Sequence, residues 1–208
     1  KIENDSTFRP KDIEKHAELW LSSDFPYVQE HILKYYPETI PESMYDALRQ
    51  ILSSENVDAK IAAVSRVSAD SLFELKNETI QVLKTAKEDW LFREAEYAVL
   101  KLGSDYDRVE ILVSRLDEED MLFNVLDALK SIFENVGGGG HDGNIDLAKV
   151  APRVKANWEQ FIIENEKELS SGKTFNLPNK LVTEEMFPPG YYMSLENGSH
   201  WPKPDWEK

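Results

Sequence analysis

Apolar residues recur at helical spacing over most of the chain. The clearest stretch is WLFREAEYAVLKLG, Trp90 to Gly103, in which Leu91, Ala95 and Leu102 fall on one face of a helix. Gly103 ends this stretch, as expected of a residue that readily adopts the left-handed conformation at a helix end. The same spacing appears in segments on both sides of it. The pattern therefore predicts an all-α fold.

The predicted helices come in pairs that repeat. The first apolar residues of the four leading helices are separated by 29, 34 and 31 residues; they are Val28, Val57, Leu91 and Leu122. Each leading helix is followed by a polar turn and a second helix, and such a unit cannot bury its apolar stripe alone. The repeat predicts an α/α superhelical solenoid of about four helix pairs. A helical bundle around one core is the alternative.

The repeat region has a helix on each side and a contrasting tail. An N-terminal helix precedes the pairs, and a helix introduced by Pro152 follows them and is expected to cap the stack. The four glycines Gly137–Gly140 between them are predicted to be irregular because glycine loses the most backbone entropy on ordering. We expect a helical repeat domain over residues 1–172 and a tail rich in proline and aromatic residues over residues 173–208.

The tail contains the strongest hairpin signal of the chain. Asn197 and Gly198 separate YYMSL from SHW, and Asn-Gly is the preferred two-residue turn of a β-hairpin. The tail is therefore predicted to be irregular with one small β-hairpin. Its many aromatic residues favour packing on the solenoid, with a partner surface as the alternative, for which Trp201 and Trp206 are the candidate contacts.

One stretch resembles a known repeat family. Asp89–Ala95 and Ala98–Gly103 are similar to the leading helix of HEAT repeats, in their short bacterial form, with an acidic entry, an apolar pair followed by Arg, and a Leu-x-Leu-Gly exit. Asp58–Lys60 and Leu122–Asn124 are poorer copies that lack the Arg. The resemblance covers about residues 24–135. It implies an armadillo-like helical scaffold that binds proteins.

The charge of the chain excludes some classes of binding partner and favours another. The net charge is -15 and the pI is near 4.7, which opposes binding to nucleic acids and to anionic membranes. No apolar run is long enough for a membrane span. We therefore expect no nucleic-acid partner and no membrane span, and an acidic chain favours a basic protein as partner. Without cysteine the chain does not require an oxidising compartment, so the cytoplasm is slightly favoured; a removed leader peptide before Lys1 is the alternative.

The sequence contains no motif that indicates catalysis, a resident metal or a cofactor. The four histidines are scattered, and no serine lies in a nucleophile elbow. GGGGHDGNID lacks the Gly-Lys-Ser/Thr ending of a phosphate-binding loop. It also lacks three ligands of a calcium-binding loop, which leaves Asp142, Asn144 and Asp146 as a candidate adventitious ion site. The chain is not expected to be an enzyme.

These observations lead to a hypothesis of function. We expect a monomeric, non-enzymatic protein-interaction module that uses the row of second helices and neutralises a basic partner, as an immunity protein neutralises a toxin. The alternative is a ligand carrier or an enzyme of HEAT-like fold, such as a bilin-lyase-like protein. The predicted contacts on the helices project opposite or beside the apolar stripes; they are Tyr45, Asp46, Arg49, Asp107, Arg108 and Arg115.

Overall fold

The structure is a computed structural model. It describes the backbone of residues 10–133, 136–141, 147–171, 186–187 and 191–195, and the side chains of residues 16–133, 151–171 and 186–187. Within these ranges the chain is predominantly helical, which confirms the all-α class. No helix in the described part of the chain is both long and apolar enough to cross a membrane.

The chain forms two compact units, Lys1–Leu102 and Gly103–Lys208, called unit 1 and unit 2. The division into a repeat domain over residues 1–172 and a tail over residues 173–208 stays a prediction. Each unit is described by itself below.

The described part of unit 1 contains six α-helices. They are α1 (Pro10–Leu21), α2 (Pro26–Tyr35), α3 (Tyr45–Ser53), α4 (Val57–Asp70), α5 (Lys76–Thr85) and α6 (Asp89–Leu102). Residues at the helix termini determine where several of these helices begin or end. Pro26 lies in the first turn of α2, where its missing N–H costs nothing. The Asn56 side chain accepts a hydrogen bond from the Ala59 N–H at the start of α4, and Ser71 ends that helix in the left-handed conformation.

The helices of unit 1 pack in two layers. The leading helices α2, α4 and α6 lie side by side, with α4 in contact with both of the others. The second helices α3 and α5 contact each other, and they also contact α4 and α6 respectively. Because the leading helices are joined through α3 and α5 by short turns that reverse the chain twice, α2, α4 and α6 run in the same direction. The core between the layers is aliphatic, with Leu48, Val64 and Leu83 fully buried.

Unit 2 contains three described α-helices and two short strands. They are α7 (Asp105–Ser114), α8 (Leu122–Lys130), β1 (Val136–His141), α9 (Leu147–Leu169) and β2 (Tyr191–Leu195). Helix α7 packs on both α8 and α9. Helix α9 begins before Pro152, the residue predicted to introduce it, and its backbone is non-helical at Asn165.

The two strands differ from the sequence-based expectation. The strands β1 and β2 are antiparallel, with Gly139 opposite Met193 and His141 opposite Tyr191. The glycines that were predicted to be irregular therefore form a strand, because ladder hydrogen bonds to β2 offset their loss of backbone entropy. The segment YYMSL is extended as predicted, but its described partner is β1. The predicted Asn197-Gly198 turn and the SHW strand lie outside the described residues.

Helices α3, α5 and α8 share one kind of entry. A 3-10 turn precedes α3, α5 and α8; these turns are Glu42–Met44, Phe73–Leu75 and Glu119–Met121. Each turn buries its last residue: Met44, Leu75 and Met121. The sequence pattern grouped α8 with the leading helices, but its entry resembles that of α3 and α5, whereas α7 begins with a capping box.

An aromatic cluster holds part of the tail on unit 2. Trp158 of α9 is fully buried, and its indole Nε1 donates a hydrogen bond of 2.6 Å to the Met186 carbonyl. The rings of Phe133, Phe161 and Phe187 surround the Trp158 ring at centroid distances of 5.5–5.9 Å. Residues 186–187 are therefore docked on the same unit; packing of the tail as a whole on a solenoid stays a prediction.

Candidate functional site

Three of the predicted contact residues lie together on helix α3 of unit 1. Asp46 is almost fully exposed, whereas Tyr45 and Arg49 are partly covered. Arg49 Nη1 lies 2.8 Å from Asp46 Oδ1 on its own helix, and Arg49 Nε lies 3.0 Å from Glu78 Oε1 on α5. The guanidinium thus links the two second helices. These hydrogen bonds, to Asp46 first and then to Glu78, raise the pKa of Arg49.

Carboxylates surround Tyr45. Partial burial raises the pKa of the Tyr45 phenol, and the negative charges of Glu74, Glu42 and Asp70 raise it further. Glu42 lies in the 3-10 turn before α3, Glu74 lies in the turn before α5, and both are exposed. The second helices thus form what we call the acidic surface, which consists of Glu42, Tyr45, Asp46, Arg49, Glu74 and Glu78.

The acidic surface has a rigid support beneath it. Arg66 of α4 donates from Nε to Asp70 Oδ2 and from Nη1 to the Tyr36 carbonyl, both at 2.8 Å, and it also donates to the Glu38 carbonyl. Asp70 Oδ2 accepts a further hydrogen bond of 2.8 Å from the Ile40 N–H. The turn between α2 and α3 is therefore fixed to the end of α4, and this contact positions the start of α3.

The predicted contacts of unit 2 have structural roles. Asp107 forms a capping box with Ser104 at the start of α7. Arg108 is 3% exposed; its Nη2 lies 3.1 Å from Asp105 Oδ1, and its Nη1 lies 3.3 Å from Ser131 Oγ. Asp105 is also buried.

Arg115 is likewise buried, at 2% exposure, and forms a two-pronged ion pair with Glu118 at 2.9 and 2.8 Å. The expectation that Arg108 and Arg115 project from the surface is therefore corrected. Both guanidiniums lie inside unit 2, because the aliphatic stems pack with the apolar stripe while local carboxylates satisfy the charge.

The remaining candidates lie outside the described residues. These are Trp201 and Trp206 of the tail and the candidate ion ligands Asp142, Asn144 and Asp146. Among the side chains that the structure describes, no group of three or more His, Asp or Glu residues is placed to hold a metal ion.

Two open grooves of unit 1 were not predicted from the sequence. One lies between α1 and α2, has a volume of about 520 Å³, and is lined mainly by apolar side chains, including Trp20, Phe25 and Ile32. The other lies between α2 and α4, has a volume of about 440 Å³, and is lined by both charged and small residues, including Asp58, Ala62 and Arg66. Attention to the residues opposite the apolar stripes would have found the second groove, since Ala62, Ser65 and Ala69 follow helical spacing there.

Comparison with known proteins adds no relative. No protein-family model, no curated protein and no solved structure matches the chain. The functional argument therefore depends on the residues described above.

Proposed function

We propose that the protein is a non-enzymatic interaction module whose acidic surface binds a basic protein, and that it neutralises this partner as an immunity protein neutralises a toxin. The observation that carries the proposal is the grouping of six residues on two adjacent helices and the turns before them: Tyr45, Asp46 and Arg49 with Glu42, Glu74 and Glu78. Four carboxylates stand here against the single guanidinium of Arg49, which Asp46 and Glu78 already bind. The local excess of negative charge agrees in sign with the net charge of the chain.

Tyr45 gives the surface a feature suited to cationic side chains. Its ring is partly exposed, and a Lys or Arg of the partner placed over such a ring is attracted by the negative face of the ring. Exposed charges at the edge of an interface mainly accelerate association and select the partner, whereas a partly covered aromatic residue contributes binding energy. The acidic surface provides both kinds of residue.

The proposed scaffold is the HEAT-like solenoid with a capping helix and a hairpin in its tail. The two-layer packing of α2–α6 in unit 1 supports this arrangement, because α4 contacts the leading helices α2 and α6, and α4 and α6 contact the second helices α3 and α5 respectively. A solenoid exposes a continuous row of second helices, which suits a protein-binding surface.

Affinity capture with matched variants tests the proposal. The wild-type chain and the variant Glu42→Gln/Asp46→Asn/Glu74→Gln are immobilised and exposed to an extract of the source cell, and bound proteins are identified by mass spectrometry. A control, Glu159→Gln/Glu166→Gln/Glu168→Gln, neutralises three exposed carboxylates of α9 and changes the net charge equally.

The proposal predicts a basic protein that the wild type and the control retain and the first variant loses. Its binding is also expected to weaken as salt is added, since exposed charges are screened within about 10 Å at 0.1 M salt. Equal retention by both variants, retention that salt does not change, or no basic protein among those captured would contradict the proposal.

A further inference from the structure

The groove between α1 and α2 is built from other residues than the acidic surface, and we call it the α1–α2 groove. Its volume of about 520 Å³ lies within the range of about 300–1,000 Å³ that is typical of small-molecule sites. Trp20 of α1 lines one wall, and Val28 of α2 lines the other. Ser23 and Phe25 of the connection between the two helices line one end. The groove is therefore bounded on three sides.

The rim of the α1–α2 groove is apolar and exposed. Leu19, Phe25 and Tyr27 are 69%, 68% and 65% exposed, and they come from α1, the connection and α2 respectively. Ile32 also lines the groove but is only 2% exposed, so it forms part of the floor. Exposed apolar side chains grouped around a concave site are typical of a surface that binds a ligand or a partner.

The described side chains that line the α1–α2 groove include no Asp, Glu, Lys or Arg. Its two serine hydroxyls already donate hydrogen bonds within the chain. Ser22 Oγ donates to the Glu18 carbonyl at 2.9 Å, and Ser23 Oγ donates to the Trp20 carbonyl at 2.6 Å. A charged ligand would lose its hydration here without gaining an opposite charge, which is costly. The lining is therefore suited to an uncharged ligand.

Several of the lining side chains are rings. The His31 ring lies 6.5 Å from the Tyr27 ring, at an angle of 28°, and 4.6 Å from the Tyr35 ring on the same helix. Trp20 and Phe25 add rings from the other wall and from the closed end. Ring pairs contribute more to binding than the area they bury, so that this lining favours an aromatic ligand over an aliphatic one of equal size.

The closed end of the α1–α2 groove is held in place by Gln29 of α2. Its Nε2 donates a hydrogen bond of 3.1 Å to the Leu21 carbonyl and one of 2.7 Å to the Ser23 carbonyl. These bonds join the end of α1 and the connection to α2. A wall that is fixed before binding reduces the entropy lost when a ligand binds.

The size and shape of the groove favour a small molecule over a polypeptide. An engineered cavity of about 150 Å³ binds one benzene molecule, so a volume of about 520 Å³ corresponds to about three rings. Because the connection lines one end, a compact ligand fits the groove better than a helix or an extended peptide, which would have to continue past that end.

We propose that the α1–α2 groove binds an uncharged, planar aromatic molecule of about two or three rings. The ligand is argued from the absence of charged side chains among the described lining residues, the engaged serine hydroxyls, the rings of the lining, the closed end and the volume. The proposal goes beyond the proposed function, because it assigns a ligand to helices that do not contribute to the acidic surface.

Two fluorescent probes with the same ring skeleton test the class of ligand. N-phenyl-1-naphthylamine is uncharged, whereas 1-anilinonaphthalene-8-sulfonate carries one sulfonate. The full chain is added to a fixed, low concentration of each probe at about 0.3 M salt, which screens the net charge of the chain. The proposal predicts a Kd below about 200 µM for the uncharged probe and binding at least about tenfold weaker for the sulfonate. No binding of the uncharged probe, or equal binding of the two, would overturn it.

Matched variants test the location of the site. Leu19→Ser/Phe25→Ser removes two rim side chains, and the control Phe73→Ser alters a side chain that is 60% exposed in the turn before α5. We expect the first variant to weaken binding of the uncharged probe at least about tenfold and the control to leave it unchanged, since apolar contact drives the binding. Equal effects of the two variants would overturn the proposal. Circular dichroism and urea midpoints show that each variant is folded before binding is compared.

A saturated competitor tests the preference for rings. 2-Naphthol and decahydro-2-naphthol share one carbon skeleton and are both uncharged at neutral pH, but only the first is aromatic. 2-Naphthol should displace the uncharged probe at a concentration at least about threefold lower, as ring contacts within the groove require. Equal displacement by the two compounds would overturn the aromatic assignment.

Sedimentation velocity tests a second copy as the occupant. Self-association of the wild-type chain that Leu19→Ser/Phe25→Ser abolishes would show that a second copy covers the groove, and it would overturn the proposal. The variant Glu42→Gln/Asp46→Asn/Glu74→Gln of the acidic surface should bind the uncharged probe as the wild type does. The probe experiments and the capture experiment therefore fail or succeed separately.

Discussion

Two Asp–Arg pairs, one in each unit, have the same spacing in the sequence but differ in how far they are buried in the structure. Asp46 and Arg49 on α3 are three residues apart, as are Asp105 and Arg108 on α7, and both pairs flank an apolar stripe. In unit 1 the Arg49 side chain is 40% exposed, whereas in unit 2 Arg108 is 3% exposed. The local pattern predicts the ion pair in both cases, but the surrounding helices decide whether it lies on the surface.

The difference follows from the neighbours of each helix. Helix α7 packs on α8 and α9, and its Asp105–Arg108 pair is buried there, with Arg108 reaching Ser131 just after the end of α8. Helix α3 packs on α4 and α5 and leaves the side with Asp46 open. A buried ion pair mainly maintains the fold, whereas an exposed pair contributes little to stability and remains available to a partner. The comparison therefore assigns a structural role to Arg108, whereas Arg49 lies on the surface that is proposed to bind the partner.

Removal of the buried guanidinium is expected to give the largest effect on stability. Arg108→Ala leaves the Asp105 carboxylate buried without this partner, which is expected to lower the free energy of unfolding by about 3–5 kcal/mol. Urea denaturation followed by circular dichroism measures the change. The double variant Asp105→Asn/Arg108→Met, which removes both charges, should be more stable than Arg108→Ala. A loss below about 1 kcal/mol in Arg108→Ala would show that the pair behaves like a surface pair.

Arg66 of unit 1 tests whether burial, and not the unit in which an arginine lies, decides how much that arginine contributes to stability. It lies in the same unit as Arg49, but its side chain is only 14% exposed and it binds Asp70 and two carbonyl groups. Arg66→Ala is expected to lower the free energy of unfolding by about 2–3 kcal/mol, since these acceptors lose a charged donor. Arg66→Lys should recover only part of this loss, because an ammonium group cannot reproduce the planar fork. If Arg66→Ala were as stable as the wild type, burial would not explain the contrast between the units.

Tyr45 is expected to give a small effect that depends on pH. Burial and nearby carboxylates raise the pKa of its phenol above the ordinary value of about 10. As the pH rises through that ordinary value, the unfolded chain releases the Tyr45 proton more readily than the folded chain does. The phenol therefore contributes stability that is lost at alkaline pH.

Tyr45→Phe should accordingly show a smaller loss of stability than the wild type between about pH 8 and pH 10.5. Urea midpoints at the two pH values measure it, with Tyr27→Phe on α2 as the matched control. An unchanged pH dependence in Tyr45→Phe would contradict the negative environment assigned to this residue.

Arg49 is expected to give the smallest effect on stability. Its bonds to Asp46 and Glu78 lie in solvent contact, so Arg49→Gln should unfold at the same urea concentration as the wild type within error. The same variant makes the acidic surface more negative, and capture of a basic partner should persist. A clear loss of stability in Arg49→Gln would remove the contrast with Arg108.

The sequence predicts the helices better than it predicts the surfaces. Helical spacing located α6 almost to the residue, because a long helix with one apolar stripe leaves a strong periodic signal. Local turn chemistry also marks the start of α2, where Pro26 lies in the first turn. These features depend on residues that are close in the chain, which is why the pattern reveals them.

The sequence pattern did not predict features that depend on residues far apart in the chain. Nothing local distinguishes the buried Arg108 from the exposed Arg49, because their exposure depends on helices far along the chain. The strand at Gly137–Gly140 requires a partner more than 50 residues away, so glycine composition alone predicted an irregular loop. The exposure of Trp90 and Tyr97 was missed because only the apolar stripes were followed, although the two residues recur at helical spacing on the other side of α6.

Hydrogen–deuterium exchange on the complex with the captured basic protein tests the central claim most directly. Amide exchange is compared between the free and the bound chain for peptides covering α3, α5 and α7. The account predicts slower exchange over residues 42–53 and 74–85 when the partner is bound, and unchanged exchange over residues 105–114. Protection confined to α7, with α3 and α5 unchanged, would contradict the assignment of the binding surface to unit 1.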